Sequence, residues 1–153
     1  MTRVIHQKVV LNMTVKKVFE MFTEPEKLKK WLVKDAVIEP FVGGKYELYW
    51  DLENENQNST IGCKITAIEF NKLLAFEWKG PVQFAEFMNN RDPLTHVTIS
   101  FFNEGDNTEV HLIHSGWGSD KKWEQACKWF DSVWKNAFTQ LEAVISSDES
   151  SKS

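Results

Sequence analysis

The sequence predicts an α+β domain in which a curved antiparallel sheet closes over one long C-terminal helix. Three observations carry this reading. From about residue 120 to 146 the apolar residues Trp123, Ala126, Cys127, Phe130, Val133, Trp134, Ala137, Phe138, Leu141, Val144 and Ile145 recur three and four apart, the period of a helix with one apolar face. About 27 residues at about 1.5 Å each make a rod of about 40 Å, and its wide aromatic face must be covered. Upstream, short alternating segments separated by turn residues read as strands in hairpins, which favours antiparallel pairing. One buried sheet face and one long helix make a two-layer α+β architecture, with about six or seven strands and two short helices.

Arg3 to Leu11, rich in Val, Ile and Leu, is the first strand. Thr14 then reads as an N-cap, and Val15, Val18, Phe19 and Phe22 form the stripe of a first short helix. Thr23-Glu24-Pro25-Glu26 starts a second one. Thr23 and Glu26 have capping-box spacing, and proline is tolerated in a first turn. Val37 to Pro40 is extended, and Val42-Gly43-Gly44 is a turn. Lys45 to Asp51 alternates, with Tyr46, Leu48 and Trp50 on one face and Glu47 and Tyr49 on the other, where Glu47 is expected to be solvated. Asp51 to Ser59 is a polar loop. Thr60 to Phe70 is a strand whose apolar phase changes after Ala67, as a bulge would cause. Leu74, Phe76 and Trp78 share one face of the next strand. Gly80 to Pro93 is the least regular segment, and Phe84, Phe87 and Met88 are its apolar side. His96 to Phe102 and Thr108 to Ser115 pair through a turn at Gly105. Gly116-Trp117-Gly118 breaks the last strand, and Ser119 or Asp120 caps the long helix.

At 153 residues the chain reads as one domain over 1–146, followed by a polar tail at 147–153 expected to be disordered. Seven Trp and eleven Phe call for a core packed with rings or a cavity walled by them. A net charge of −4, with no basic run beyond Lys27, Lys29 and Lys30, argues against nucleic acid as a partner. No apolar run is long enough to span a membrane, and residues 1–11 do not resemble a signal peptide. The expected location is cytoplasmic, with Cys63 and Cys127 as buried free thiols.

Catalysis and metal binding require polar groups that converge. His111 and His114, three apart on a strand, face opposite ways, and no His or Cys pair has metal-ligand spacing. No phosphate-binding glycine pattern or nucleophile elbow is present, so no catalytic residue, metal or cofactor is assigned. His114 shares a face with Val110 and Leu112. It either reaches a cavity or closes the strand end by hydrogen bonding to backbone. The aromatic residues are the better lead. Trp31, Phe41, Tyr46, Leu48, Trp50, Phe76 and Trp78 can face Phe130, Trp134 and Phe138 across the sheet–helix interface, with His114 among them. They either fill the interface or wall a cavity for an apolar or aromatic ligand. Phe84, Phe87 and Met88 then form a lid, plug the core edge or make a partner surface.

The order of elements resembles the helix-grip fold of the START and birch-pollen-allergen (SRPBCC) superfamily. The stretch Phe19-Glu20-Met21-Phe22-Thr23-Glu24-Pro25-Glu26-Lys27-Leu28, then Trp31, then Ile38-Glu39-Pro40-Phe41-Val42-Gly43-Gly44-Lys45-Tyr46, is similar to domains homologous to the activator of heat shock protein 90 ATPase. His114-Ser115-Gly116-Trp117 before the last helix extends the likeness. The resemblance implies a helix-grip fold. Stand-alone relatives are commonly thought to bind hydrophobic small molecules, which makes a non-enzymatic ligand-binding module the leading expectation. The alternative it implies is a stress-related protein docking on a chaperone. The eukaryotic activator resembles this chain only in its C-terminal domain, and its larger N-terminal domain, which makes the main stimulating contact, has no counterpart in these residues. A third reading, a cyclase- or hydrolase-like enzyme as in some relatives of the wider fold, needs convergent polar groups that the sequence does not supply.

Overall fold

The computed structural model describes the backbone of residues 3–152 and the side chains of residues 3–147. Seven strands and four helices follow one another in the order β1 (Ile5–Leu11), α1 (Val15–Thr23), α2 (Pro25–Leu28), β2 (Asp35–Ile38), β3 (Tyr46–Tyr49), β4 (Ile65–Glu69), β5 (Leu73–Trp78), α3 (Ala85–Met88), β6 (Thr95–Glu104), β7 (Asn107–Ser115) and α4 (Lys121–Lys152). All strand pairs are antiparallel. Five strands form one sheet in the order β1-β7-β6-β5-β4, and β2 and β3 form a second. The two are joined by short bridges, Lys45 to Lys64 and Tyr49 to Ser59, so the ladder bends from β4 into β3. The predicted α+β helix-grip architecture is the one found.

Alternation sets the inner face. On β5 Leu74, Phe76 and Trp78 are buried, on β6 Val97, Ile99 and Phe101, and on β7 Val110, Leu112 and His114. The phase change in β4 is a register shift between Ile65 and Ala67, as the apolar pattern requires. The β6–β7 hairpin turns at Gly105, with Glu104 opposite Asn107 and Gly105 at φ +72°.

Across the sheet lies α4, which buries Trp123, Ala126, Phe130, Trp134, Ala137, Phe138, Leu141 and Ile145. Asp120 caps it, its Oδ1 accepting from the Trp123 amide at 3.2 Å. Its backbone stays helical through Lys152, whereas the sequence places a disordered tail from residue 147. The run holds no Gly or Pro to stop the helix, and Ser153 lies outside the described residues.

The short helices depart from expectation in their caps. Thr14 occupies the N-cap of α1 without a side-chain bond. The N-cap of α2 is Glu24 rather than Thr23, because the Thr23 hydroxyl turns back and donates to the Phe19 carbonyl at 3.0 Å. Proline is in the first turn as predicted. Cys63 and Cys127 are free, Cys63 buried and Cys127 half-buried. Among the described residues no helix is long and apolar enough to cross a membrane.

Candidate functional site

A cleft of about 280 Å³ opens where the end of β5, the loop before β4 and the first half of α4 meet. Five of its lining side chains are rings, Trp50 and Trp78 from the sheet side and Trp129, Phe130 and Trp134 from α4, which also adds Val133. Trp78 is the hub. Its ring meets Trp134 at 4.9 Å, Trp50 edge-on at 5.8 Å and Phe130 edge-on at 6.2 Å between centroids. Two of the four indoles are pinned. Trp50 donates to the Leu32 carbonyl at 2.7 Å and Trp134 donates to His114 Nδ1 at 3.1 Å. Trp78 is 2% exposed, and its Nε1 is the one buried side-chain polar atom without a partner among the described residues. The polar rim is Asn58, Ser59, Lys79 and Gln83, and Lys79 is the only charged residue lining the cleft. Its Nζ donates to the Ile61 carbonyl at 2.7 Å.

Behind the cleft, His114 is fully buried. An indole N–H can only donate, so His114 Nδ1, facing Trp134, carries no proton. The proton of the neutral ring is then on Nε2, which donates to Thr95 Oγ1 at 3.1 Å, and Thr95 Oγ1 donates to the Trp78 carbonyl at 3.3 Å. Burial, with a smaller contribution from His96, holds the imidazole well below its usual pKa and keeps it neutral. His114 therefore links Trp134 to Trp78, through Thr95, from behind the cleft without lining it. It bonds to side chains, where a lone strand-end histidine would be expected to bond to backbone.

Glu47 is the main correction to the polar assignments. It is 7% exposed rather than solvated. The loop before β4 folds over the outer face of β3, so all four residues of the strand are buried. Its carboxylate accepts from Tyr49 Oη at 2.9 Å and from the Gly62 amide at 2.8 Å. Burial first, and then the bond to Glu47 and its charge, raise the Tyr49 phenol. Cys63, in the same surroundings, is pushed up to about 12 by burial, so its thiol is unreactive.

Of the residues expected to wall a cavity, the structure brings Trp50, Trp78, Phe130 and Trp134 to the cleft. Tyr46, Leu48, Phe76 and His114 are fully buried in the packed core. Tyr46 stacks on Phe76 at 3.9 Å and donates to the Phe22 carbonyl at 2.6 Å. Trp31 and Phe138 pack around Phe22, away from the cleft. Phe41 is 57% exposed on the β2–β3 connection and belongs to neither cleft nor core. Of the three residues expected as a lid, Met88 is buried under Gly80, while Phe84 packs on Trp129 and Phe87 on Trp123. They brace the segment from outside, and Gly80, Pro81 and Gln83 supply the wall. Lys79 and Trp129 were not singled out from sequence. Trp129, a large ring off the apolar stripe of α4 and 39% exposed, was the available signal. Among the described residues no group of three or more His, Cys, Asp or Glu could hold a metal.

The backbone is similar to several solved structures. A protein from Mesorhizobium loti aligns with TM-score 0.74 at 19% identity, over 94% of this chain and 97% of the other. A Plasmodium falciparum protein described as an HSP90 activator aligns with TM-score 0.71 at 18% identity, over 94% and 96%. The Aha1 dimer from Colwellia psychrerythraea aligns with TM-score 0.68 at 16% identity, over 94% and 96%. These likenesses show the fold. No curated protein matches the sequence significantly. The family model for activator of Hsp90 ATPase homolog 1-like proteins matches residues 12–146, nearly the whole described chain, and the chain belongs to that family.

Proposed function

We propose that this protein is a non-enzymatic binding module for a small, largely aromatic molecule held in the cleft between β5 and α4. The observation that carries the reading is the aromatic cleft itself: about 280 Å³ of space bordered by Trp50, Trp78, Trp129, Phe130 and Trp134. Ligand sites usually occupy about 300–1,000 Å³ and are mostly apolar with a few placed polar groups. This cleft is at the small end, so the ligand is of one or two fused rings. Among the described residues that line it there is no carboxylate, histidine or cysteine to act as general base, and the Ser59 hydroxyl donates to the Glu55 carbonyl at 2.6 Å instead of to a base. Binding alone is the chemistry that these groups support.

The test is a variant that fills the space and spares the fold. Val133 lines the cleft and is half-buried on α4. Val133→Phe is expected to lower affinity for an aromatic probe such as 2-naphthoate at least tenfold, read by calorimetry, with an unchanged near-ultraviolet spectrum. Undiminished binding in the filled variant would sink the reading.

A second reading, action on a heat shock protein 90 type chaperone, is supported by the family match and by the near full-length likeness to the Plasmodium falciparum activator. It needs an outer surface rather than a cavity. The most exposed large apolar side chains among the described residues are Phe41, Val42 and Phe70. Its test is the ATPase rate of such a chaperone with saturating protein, and an unaltered rate counts against it.

A further inference from the structure

We propose that the ligand of the cleft is an anion: a small aromatic acid whose acidic group meets the Lys79 ammonium. This deepens, and rests on, the reading of the cleft as a ligand site. Lys79 is the one charged side chain among the described residues that line the cleft, and of its three donors the Ile61 carbonyl takes one. Among the described residues it forms no ion pair. The acidic groups that share the surroundings of Cys63 with Lys79 are engaged elsewhere. Glu47 accepts from Tyr49 and from the Gly62 amide, and Glu77 from the Lys64 amide.

The charge of the ligand follows from what each choice would bury. A neutral hydrocarbon seated against Lys79 would strip water from its ammonium and return nothing. A cation would gain from the aromatic faces, but it would sit beside a like charge with no carboxylate in the lining to offset it. A carboxylate supplies an acceptor for the spare donors of the ammonium and forms a charge-assisted bond with it. The net charge of −4 does not oppose this strongly, since exposed charges beyond about 8 Å are largely screened at physiological salt.

Three probes of one shape separate the cases: 2-naphthoate, 2-naphthylmethanol and 2-naphthylmethylammonium, titrated calorimetrically into the intact protein. The expected order of affinity is anion, neutral, cation, with naphthoate ahead of the alcohol by about tenfold. Lys79→Met keeps the aliphatic stem, and Lys79→Gln keeps a donor for the Ile61 carbonyl. Both are expected to bring naphthoate affinity down to that of the alcohol, and melting temperature checks that each is folded. Equal affinity for all three probes, a cation that binds best, or a naphthoate preference that survives both substitutions overturns the assignment of charge while leaving the cleft a ligand site. Failure of all three probes to bind overturns the ligand site itself, and the assignment with it.

Discussion

At His114 the two ring nitrogens are committed in opposite directions, one accepting from Trp134 and one facing Thr95. Protonating the ring would put a donor against the Trp134 N–H and a charge in a dry core. The folded state therefore holds this imidazole neutral well below its ordinary pKa of 6.5, by burial first and the neighbouring His96 second. Above pH 6.5 neither folded nor unfolded chain protonates it, and its contribution to stability is complete. As pH falls through 6.5 the unfolded chain takes up a proton that the folded chain refuses, so stability drops, with a limiting slope of about 1.4 kcal/mol per pH unit. The loss levels off once pH passes below the depressed folded value. His96, also lowered chiefly by burial, adds to the slope. His114→Gln can still accept from Trp134 and donate to Thr95 but does not titrate. Urea unfolding at pH 7 and pH 5 is expected to show a smaller loss of stability for that variant than for the wild type. Equal losses would mean that His114 is not the buried titrating group.

The segment between β5 and β6 is an irregular strap whose start is tied to its α3 end by one side chain. Asn89, just past α3, donates from Nδ2 to the Gly80 carbonyl at 3.0 Å and accepts on Oδ1 from the Gly80 amide at 2.7 Å. That pairing imitates a strand neighbour and holds the cleft wall at Gly80 and Pro81. Asn89→Ala orphans both backbone groups of a buried residue and is expected to cost about 1–3 kcal/mol. It should also speed amide exchange over residues 80–89 more than in α4, read by hydrogen exchange. Uniform acceleration along the chain would argue for a general loss of stability instead. This strap also marks where the sequence stops being legible. Alternation in β5, β6 and β7, the stripe on α4 and the phase slip in β4 each follow a local period, and all are visible along the chain. The cap of α2 is not legible because the Thr23 hydroxyl has two competing partners, the Phe19 carbonyl behind it, to which it donates, and the free amides of the next helix ahead, from which its oxygen could accept. The cleft is not local. Lys79, Asn58 and Trp129 become neighbours only when three elements meet, and no period in the sequence joins them. Glu47 looked solvated because alternation cannot foresee a loop folding over the second face of a strand.

On the scale of the molecule, the two functional readings occupy separate places. The cleft lies between β5 and α4, whereas Phe41 and Val42 lie on the β2–β3 connection and Phe70 ends the β4 hairpin beside a second hollow lined by Pro40 and Phe19. They can therefore be separated by substitution. A ligand that binds only the folded chain stabilises it by RT ln(1 + [L]/Kd), about 2.7 kcal/mol at a hundredfold excess over Kd. For a domain near 150 residues, about 2–4 °C per kcal/mol converts this to a rise of about 5–10 °C in melting temperature. If the cleft is the site, naphthoate at that excess raises the melting temperature of the wild type and of Phe41→Asp/Phe70→Asp alike. Val133→Phe, measured at the same naphthoate concentration with affinity at least tenfold lower, shows at most about half that rise, since RT ln(1 + 10) is about 1.4 kcal/mol. If the apolar outer residues meet a chaperone, the same double substitution removes any stimulation of its ATPase, and Val133→Phe retains it. Loss of both responses in one variant whose fold is intact would mean that ligand and chaperone compete for, or are coupled through, a single element. The element shared by both regions is the bent ladder from β3 to β4, where the Ile65 amide bonds the Gly44 carbonyl at 2.8 Å. A Cβ on Gly44 would collide with the Glu39 carbonyl, so Gly44→Ala is the substitution that strains this junction directly. Coupling would then appear as a loss of the thermal shift and of the ATPase response together, from a residue that lines neither surface.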